Sequence, residues 1–284
     1  MTKAELRTPN AKGPSRWRRL TPSLRVGGLI VLGILLMVVA SWLNPKDPNA
    51  TSADRLVASS ATHLLGTDIL GRDTLARVLA GAENALYVGL VAVGIGLFMG
   101  LVLGVLAGFF GGWLDQILTI LLETLYALPA LLIALLFGAI FNPGATTSMV
   151  AIGLAAVPAF ARVARAGVLA VKAQPYVEAA RALGMGNGRI MLRHVLPNIL
   201  GPLVVQASLA FAASILAEAA LSYLGLGTQP PTASWGRMLR EAQSYQELSP
   251  WPVVWPGVAI GLAVLGFNLL GDGLRDWLDP RGKR

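Results

Sequence analysis

The most informative stretch of this chain reads Glu178-Ala179-Ala180-Arg181-Ala182-Leu183-Gly184, and Val195-Leu196-Pro197 closes it. Gln174-Pro175 predicts a helix start just before it, because the fixed φ of proline suits the first turn and its missing N–H costs nothing there. One face of this helix, at i, i+3, i+4, i+7 spacing, carries Tyr176, Ala179, Ala180 and Leu183. Gly184 suits the left-handed residue that ends a helix. The stretch therefore predicts a compact helix–turn–helix that offers a small apolar face to a partner.

Apolar segments dominate the rest of the chain. Of its 284 residues, 55% are hydrophobic and only 13% are charged, which is typical of a membrane protein with several spans. A spanning helix needs about 20 mostly apolar residues, and we expect six, the first of them retained and not cleaved as a signal. The predicted spans are residues 26–43, 84–111, 117–141, 147–168, 199–223 and 253–274. The predicted fold class is therefore all-α, a polytopic membrane protein with six transmembrane helices.

Lysine and arginine residues are distributed unevenly over the segments between these spans. With the N-terminus inside, the inner segments carry 17 of the 23 basic residues. Because Lys and Arg concentrate on the cytoplasmic side of a membrane, both termini and the loop around Glu178 are predicted to be cytoplasmic. This bias accounts for the net charge of +8 without nucleic acid as a partner.

Several kinds of chemistry are excluded by the residue types. The chain has no cysteine and only two histidines, His63 and His194, which lie far apart, so disulfides, thiolate catalysis and Cys/His metal sites are not expected. No GxxxxGK[ST] phosphate-binding loop occurs. We therefore expect no catalytic residue, metal or cofactor in this chain. The second span carries a small-residue stripe that predicts close helix packing, at Ala92, Gly96, Gly100, Gly104, Gly108 and Gly112.

The Glu178 stretch resembles the EAA loop of ABC-importer permeases, in which a glutamate, two alanines and a glycine precede a leucine–proline pair. The residues that carry this resemblance are Glu178, Ala179, Ala180, Arg181, Gly184, Leu196 and Pro197. His194 departs from the pattern, where an aliphatic residue is usual, and we interpret it as a solvated or interfacial side chain. The resemblance implies a type I ABC-importer permease fold. It also implies a coupling helix, within residues 169–198, that docks in a groove of an ATP-hydrolysing subunit.

Two predicted outer segments resemble the C-type subunit of the dipeptide, oligopeptide and nickel branch of these permeases. The first is Leu65-Gly66-Thr67-Asp68-Ile69-Leu70-Gly71-Arg72-Asp73. Asp68 or Asp73 is expected to cap a helix over Thr74–Ala82, and we favour a structural turn over a substrate contact. The second segment contains Leu221-Ser222-Tyr223-Leu224-Gly225-Leu226-Gly227 and a helix expected near residues 234–243. A membrane-interface belt is the expected setting of Trp235, Trp251 and Trp255.

The resemblance implies an organisation and a set of partners. Residues 1–25 would form a basic cytoplasmic arm, residues 26–83 the first transmembrane helix and an outer segment, and residues 84–284 a five-helix permease core. The expected partners are a second homologous permease, two ATPase subunits that bind ATP-Mg, and an extracytoplasmic substrate-binding protein, all at a bacterial inner membrane. The implied function is half of a translocation pathway for dipeptides or oligopeptides, with nickel or a glutathione-type molecule as alternative substrates.

Glu123 and Glu218 lie within predicted spans, where ionisable groups are costly and usually functional. Both are placed near span ends, so we expect structural roles. A proton-coupled secondary transporter would use one of them for its coupling ion, but that class needs ionisable groups near the midplane and interrupted, repeated helices. A membrane-bound enzyme would need a nucleophile, a base or metal ligands. The sequence assigns no residue to substrate binding.

Overall fold

The computed structural model describes residues 21–278, so most of the predicted N-terminal arm and the Asp279-Pro280 pair lie outside the described residues. In chain order the helices are α1 (Pro22–Leu43), α2 (Thr74–Phe110), α3 (Gly112–Ala127), α4 (Ala130–Phe141), α5 (Ala145–Lys172), α6 (Pro175–Ala182), α7 (Asn187–Ile190), α8 (Leu196–Leu224), α9 (Trp235–Ala242) and α10 (Trp251–Leu278). A π-helical turn at Met191–Val195 precedes α8, and a 3-10 turn at Gln243–Tyr245 follows α9. The predicted all-α class is confirmed.

Within residues 21–278, five helices are long and apolar enough to span a membrane, or up to six if α3 and α4 count as one broken span. The prediction of six spans is thus confirmed only in this sense, because the predicted third span, residues 117–141, is not one helix. Its two halves meet at 85°. Leu128 is extended, with φ −79° and ψ 129°, since the ring of Pro129 disfavours a helical conformation in the preceding residue. Pro158, in contrast, lies inside the single helix α5.

The second span is longer than predicted. It begins at Thr74 and not at residue 84, so α2 starts within the segment that was assigned to the outer side. Asp73 accepts a hydrogen bond from the Ala76 amide at 3.0 Å, which confirms this aspartate as the predicted helix cap. The short helix expected over Thr74–Ala82 is therefore the first part of α2.

The small-residue stripe of α2 packs against α5, as predicted. A Cβ atom at Gly100 would lie 2.5 Å from the Cβ of Phe160 and 2.8 Å from the carbonyl oxygen of Val157. Such close backbone approach provides the van der Waals contact that holds helices together in lipid. Gly112 does not share this role, because it begins α3 and is exposed. The remaining long helices pack in the order α5, α8, α10 and α1, while α3 and α4 lie at the side of the bundle against α5.

The two ends of the bundle differ. At one end, residues 44–73 and 225–250 pack together; we call them the cap. At the other end lie residues 173–198, which we call the helical loop. Trp235 of the cap is only 1% exposed and donates from its indole nitrogen to the carbonyl of Val78 at 2.9 Å. Its assignment to an interface belt is therefore wrong, because Gly81 leaves room for the ring inside the bundle.

Candidate functional site

The helical loop begins as its sequence predicts. Gln174 is extended and Pro175 occupies the first turn of α6, where a proline needs no hydrogen-bond acceptor. The amide of Val177 bonds to the carbonyl of Gln174 at 2.9 Å. Only Ala173 and Gln174 separate α5 from α6. A displacement of α6 is therefore transmitted to a membrane-spanning helix through a very short connection.

Gly184 ends α6 in the left-handed conformation, with φ +79°. The amide of Gly184 bonds to the carbonyl of Arg181 at 3.0 Å, and the amide of Met185 bonds to that of Ala180, also at 3.0 Å. These two bonds form the Schellman motif that satisfies free carbonyls at a helix end. The predicted role of Gly184 is confirmed.

The apolar face of α6 that was predicted to meet a partner is mostly exposed, and α6 packs on the bundle through a neighbouring face. Val177, 1% exposed, and Ala180 point inward. Val177 joins an apolar cluster that the sequence did not indicate, with Phe109, Val168, Ile190, Val195 and Ile199. Tyr176 and Ala179 are exposed, and Leu183 is 88% exposed. Of the four residues predicted to meet a partner, only Ala180 is turned inward, a detail that periodicity alone does not fix.

The exposed side of α6 combines apolar and charged groups. Glu178, Ala179 and Arg181 are exposed, and Leu183 extends the surface at the end of the helix. In an aqueous compartment the apolar side chains of this surface would be exposed to water, which is typical of a docking surface for another protein. The structure thus brings five of the predicted residues together at α6, which are Glu178, Ala179, Ala180, Arg181 and Gly184.

Leu196 and Pro197 act elsewhere, at the junction with α8. The amide of Leu196 bonds to the carbonyl of Met191, five residues back, which is the π-helical pattern. Pro197 has no amide hydrogen to continue the ladder. Asn198 bridges the junction instead, donating to the carbonyl of His194 at 2.6 Å and to the hydroxyl of Tyr176 at 3.4 Å. The imidazole of His194 is half-buried beside the Tyr176 ring, with the ring centroids 6.0 Å apart.

Polar contacts fasten the bundle just above the helical loop. Lys172, the last residue of α5, donates to the carbonyl of Phe109 at 2.6 Å. The Nε and Nη2 atoms of Arg165 donate hydrogen bonds to the two carboxylate oxygens of Asp115, at 2.6 and 2.7 Å. These contacts tie α5 to the ends of α2 and α3, so the three helices move together at this end.

At the cap, the Leu65–Asp73 segment forms a buried turn. Asp68 accepts hydrogen bonds from the amides of Leu70 and Arg72 at 2.8 and 3.0 Å. Arg72 in turn contacts Asp68 at 2.6 Å and Glu241 at 2.5 Å. Gly66 and Gly71 have φ +76° and +73°, conformations that glycine adopts without cost. The contacts support the interpretation as a structural turn.

Asp73 is tied to the rest of the cap by charge. It accepts from Lys46 at 2.7 Å and lies 2.9 Å from the imidazole of His63. Burial alone would raise the pKa of Asp73, but hydrogen bonds from Lys46, the Ala76 amide and His63 lower it below its ordinary value. Nearby, burial together with the Asp68 charge raises the pKa of Tyr245 to about 12.

The two intramembrane glutamates have different surroundings. Glu218 is buried and accepts hydrogen bonds from Asn84, Ser222 and Thr228 at 2.7 to 3.2 Å. Glu218 thereby links α2 and α8 to Thr228, at the start of the second segment of the cap. This arrangement agrees with a structural role. Glu123 is exposed on α3.

Comparisons with known proteins agree with this geometry. Residues 100–284 match the family described as "Binding-protein-dependent transport system inner membrane component". The chain is 39% identical over 277 residues to the dipeptide transport system permease protein DppC of Alkalihalophilus pseudofirmus, which covers 95% of this chain and 91% of that protein. It is 43% identical over 281 residues to the glutathione transport system permease protein GsiD of Salmonella paratyphi A, covering 98% and 93% of the two chains.

Among solved structures, the fold is similar to a chain of the MetNI methionine ABC transporter in an inward-facing conformation. The TM-score is 0.59 at 19% sequence identity, and the match covers 71% of this chain and 96% of that chain. The similarity extends the agreement to the arrangement of the helices.

Proposed function

The chain belongs to the family of binding-protein-dependent inner membrane transport components, the permease subunits of ABC importers, and on that premise we propose that it imports di- or oligopeptides. Similarity to a dipeptide permease and to a glutathione permease supports a short peptide as the substrate. In this proposal the chain forms half of the pathway beside a second permease subunit. A binding protein delivers the substrate at the cap.

The observation that carries the proposal is the exposed surface of α6 at the end of a short, rigid connection. Glu178, Ala179, Arg181 and Leu183 form this surface, and α6 packs on the bundle through Val177 and Ala180. A short amphipathic helix of this kind fits a groove in a partner protein. We assign the surface to the docking site for an ATPase subunit, with Leu196 and Pro197 setting the start of α8 behind it.

The membrane orientation is part of the proposal. The bias of lysine and arginine supports a helical loop on the cytoplasmic side and a cap on the outer side. ATP-Mg would bind in two partner subunits, and their closure would move α6. The tight junctions with α5 and α8 would pass that motion to the bundle and rock it from inward- to outward-facing.

Reconstitution tests this proposal. The chain is assembled with its partner permease, ATPases and binding protein in liposomes, and ATP-dependent uptake of labelled di- and oligopeptides is compared with that of glutathione and chelated nickel. We expect peptide uptake that is abolished by Glu178→Arg and by Gly184→Pro, with normal membrane insertion. The control is Asp276→Arg, which reverses another exposed charge near the same end of the bundle.

Three uptake results would change different parts of the proposal. Normal uptake by both loop variants would overturn the assignment of the coupling surface. Uptake of nickel alone would replace the substrate and leave the coupling surface intact. Peptide uptake driven by a proton gradient without ATP would overturn the proposal as a whole.

A further inference from the structure

An open cavity lined by both charged and apolar residues lies between α3 and α5 at the side of the bundle. Its volume is about 260 Å³, and the residues that matter for its chemistry are Thr119, Glu123, Pro158, Arg162 and Arg165. Pro158 lies midway along α5, so the cavity extends from the middle of a span toward the helical loop. Charged groups at this depth are costly if they face lipid. This side of the bundle therefore faces water or another polypeptide.

Arg165 is already neutralised within the cavity wall. Its guanidinium forms two hydrogen bonds to the carboxylate of Asp115, at 2.6 and 2.7 Å. A guanidinium and a carboxylate paired in this way form two parallel hydrogen bonds and neutralise each other's charge. Arg165 thus shapes the cavity without offering a free charge to a ligand.

Arg162 and Glu123 differ from Arg165 in this respect. The guanidinium carbon of Arg162 lies 4.6 Å from the centroid of the Tyr126 ring, a cation–π contact that positions the group. Such stacking occupies the face of the guanidinium and leaves the N–H groups at its edge available. Within residues 21–278, neither Arg162 nor Glu123 has an ion-pair partner closer than 4.0 Å.

One cavity therefore presents a free cation and a free anion. A single ligand that carries both charges can satisfy both groups, with a carboxylate for Arg162 and an ammonium for Glu123. Guanidinium groups bind carboxylates through two parallel hydrogen bonds, which suits a terminal carboxylate. The volume lies just below the range of about 300–1,000 Å³ that is usual for small-molecule sites, so it suits a very short peptide or the end of a longer one.

We propose that this cavity is a transient binding site for the charged termini of a peptide on its way through the bundle, with Arg162 holding the α-carboxylate and Glu123 the α-ammonium. The proposal rests on the proposed function as a peptide permease. It adds a site inside the membrane domain, independent of the delivering protein. Thr119, which donates a hydrogen bond to Asp115 at 3.3 Å, adds a neutral polar group to the same wall.

The test measures binding without the binding protein, which would otherwise impose its own selectivity. The assembled transporter in nanodiscs, with its partner permease and ATPases, is titrated with Ala-Ala by calorimetry. Two analogues each remove one charge from the ligand, N-acetyl-Ala-Ala and Ala-Ala-amide. Two variants each remove the matching charge from the protein, Glu123→Gln and Arg162→Gln. The control variants are Asp276→Asn and Arg275→Gln, exposed residues at the end of α10.

The expected pattern is a matched loss. In the unmodified protein each analogue binds about tenfold more weakly than Ala-Ala, the loss expected when a charge-assisted hydrogen bond is removed. Glu123→Gln binds Ala-Ala and N-acetyl-Ala-Ala equally and still discriminates against the amide. Arg162→Gln shows the reverse. The control variants keep the full discrimination.

Two results would overturn the site, in addition to a failure of Ala-Ala to bind. One is equal binding of all three ligands to the unmodified protein, a comparison that does not depend on whether any variant folds. The other is loss of the second permease from the purified complex in both variants, which would assign the charges to subunit assembly. If Ala-Ala does not bind but ATP-dependent peptide uptake persists, the site fails and the proposed function stands; if uptake itself is absent, the proposed function fails.

Discussion

A group of charged side chains at the cap lies in the interior, each against another, whereas the charged side chains of the helical loop point outward. Arg77 of α2 has a side chain only 2% exposed and, like Arg72, contacts Glu241. Glu178 and Arg181 of α6 are exposed, and no ion pair joins them. Loss of one partner of a buried ion pair strongly destabilises the folded protein, because the other charge stays buried without compensation. Exposed charges contribute little to stability. The cap is thus held in one arrangement, and the helical loop keeps its charges available.

The same contrast applies to the apolar groups. Trp235 of the cap is buried inside the bundle, but Leu183 of the helical loop has no cover. A cap that is fastened at many points suits a rigid platform, and a loop with uncovered apolar area suits a surface that is completed by a partner. Substitutions in the two regions should therefore differ in what they change.

The largest effect on stability is expected for Arg72→Ala. The substitution leaves the carboxylates of Asp68 and Glu241 without their closest cation, and we expect the free energy of unfolding to fall by about 3 kcal/mol. Denaturation of the purified chain in detergent measures it. The control is Arg55→Ala, an exposed residue of the same cap. Equal stability of the two variants would contradict the role assigned to the buried ion pairs.

A second, smaller effect concerns pH and Asp73. Because the folded state lowers the pKa of this carboxyl, the folded state holds its proton less tightly than the unfolded chain does. The stabilisation is present above the ordinary carboxyl pKa of about 3.9 and is lost as the pH falls through the folded value.

Asp73→Asn isolates this contribution, since asparagine still caps a helix but carries no charge. We expect the variant to be less stable than the unmodified protein at pH 6 and the difference to shrink toward pH 3. Melting temperatures over this range measure it. A difference that is independent of pH would show that the charge of Asp73 does not stabilise the cap.

At the helical loop, Gly184→Ala tests the left-handed helix end. No atom would crowd the new Cβ, so only the backbone conformation at φ +79° resists it, at a cost of about 1 kcal/mol. We expect a small loss of stability and a partial loss of peptide uptake. Gly186→Ala is the matched control, because Gly186 has φ −65° and equally open surroundings. Similar uptake by both variants would argue against a requirement for the Schellman end.

The smallest effect on stability is expected for Leu183→Ser. An exposed side chain adds little to folding, so the free energy of unfolding should change by less than about 0.5 kcal/mol. Binding of the ATPase subunits should nevertheless weaken, as measured by their retention on the immobilised permease. Leu248→Ser, at a comparably exposed leucine of the cap, should leave that retention unchanged. Equal retention by both variants would remove Leu183 from the proposed docking surface.

Local features of the sequence predicted several parts of the structure correctly. Asp73 caps its helix, Pro175 starts α6, and Gly184 ends it, because each depends on hydrogen bonds and backbone angles within a few residues. The existence of the long apolar helices followed from their composition, since each must satisfy its backbone groups internally in a membrane.

Other features required contacts between distant parts of the chain. Whether Tyr176 or Val177 faces the bundle depends on where the cluster around Ile190 and Val195 lies. Trp235 looked like an interface residue, and only the space left at Gly81 shows that it is buried. Pro129 breaks the helix through local backbone geometry, but the 85° angle between α3 and α4 also involves their packing against α5.

Hydropathy, helix ends and the charge bias are properties of short segments, so they were sufficient to identify a helical membrane protein with an EAA-type loop. Which side of α6 remains uncovered depends on packing between distant segments, and so does the placement of Glu123 and Arg162 in one cavity. Those two residues are far apart in the chain and come together because α3 folds back onto α5. Their shared chemistry therefore arises from packing and not from sequence spacing.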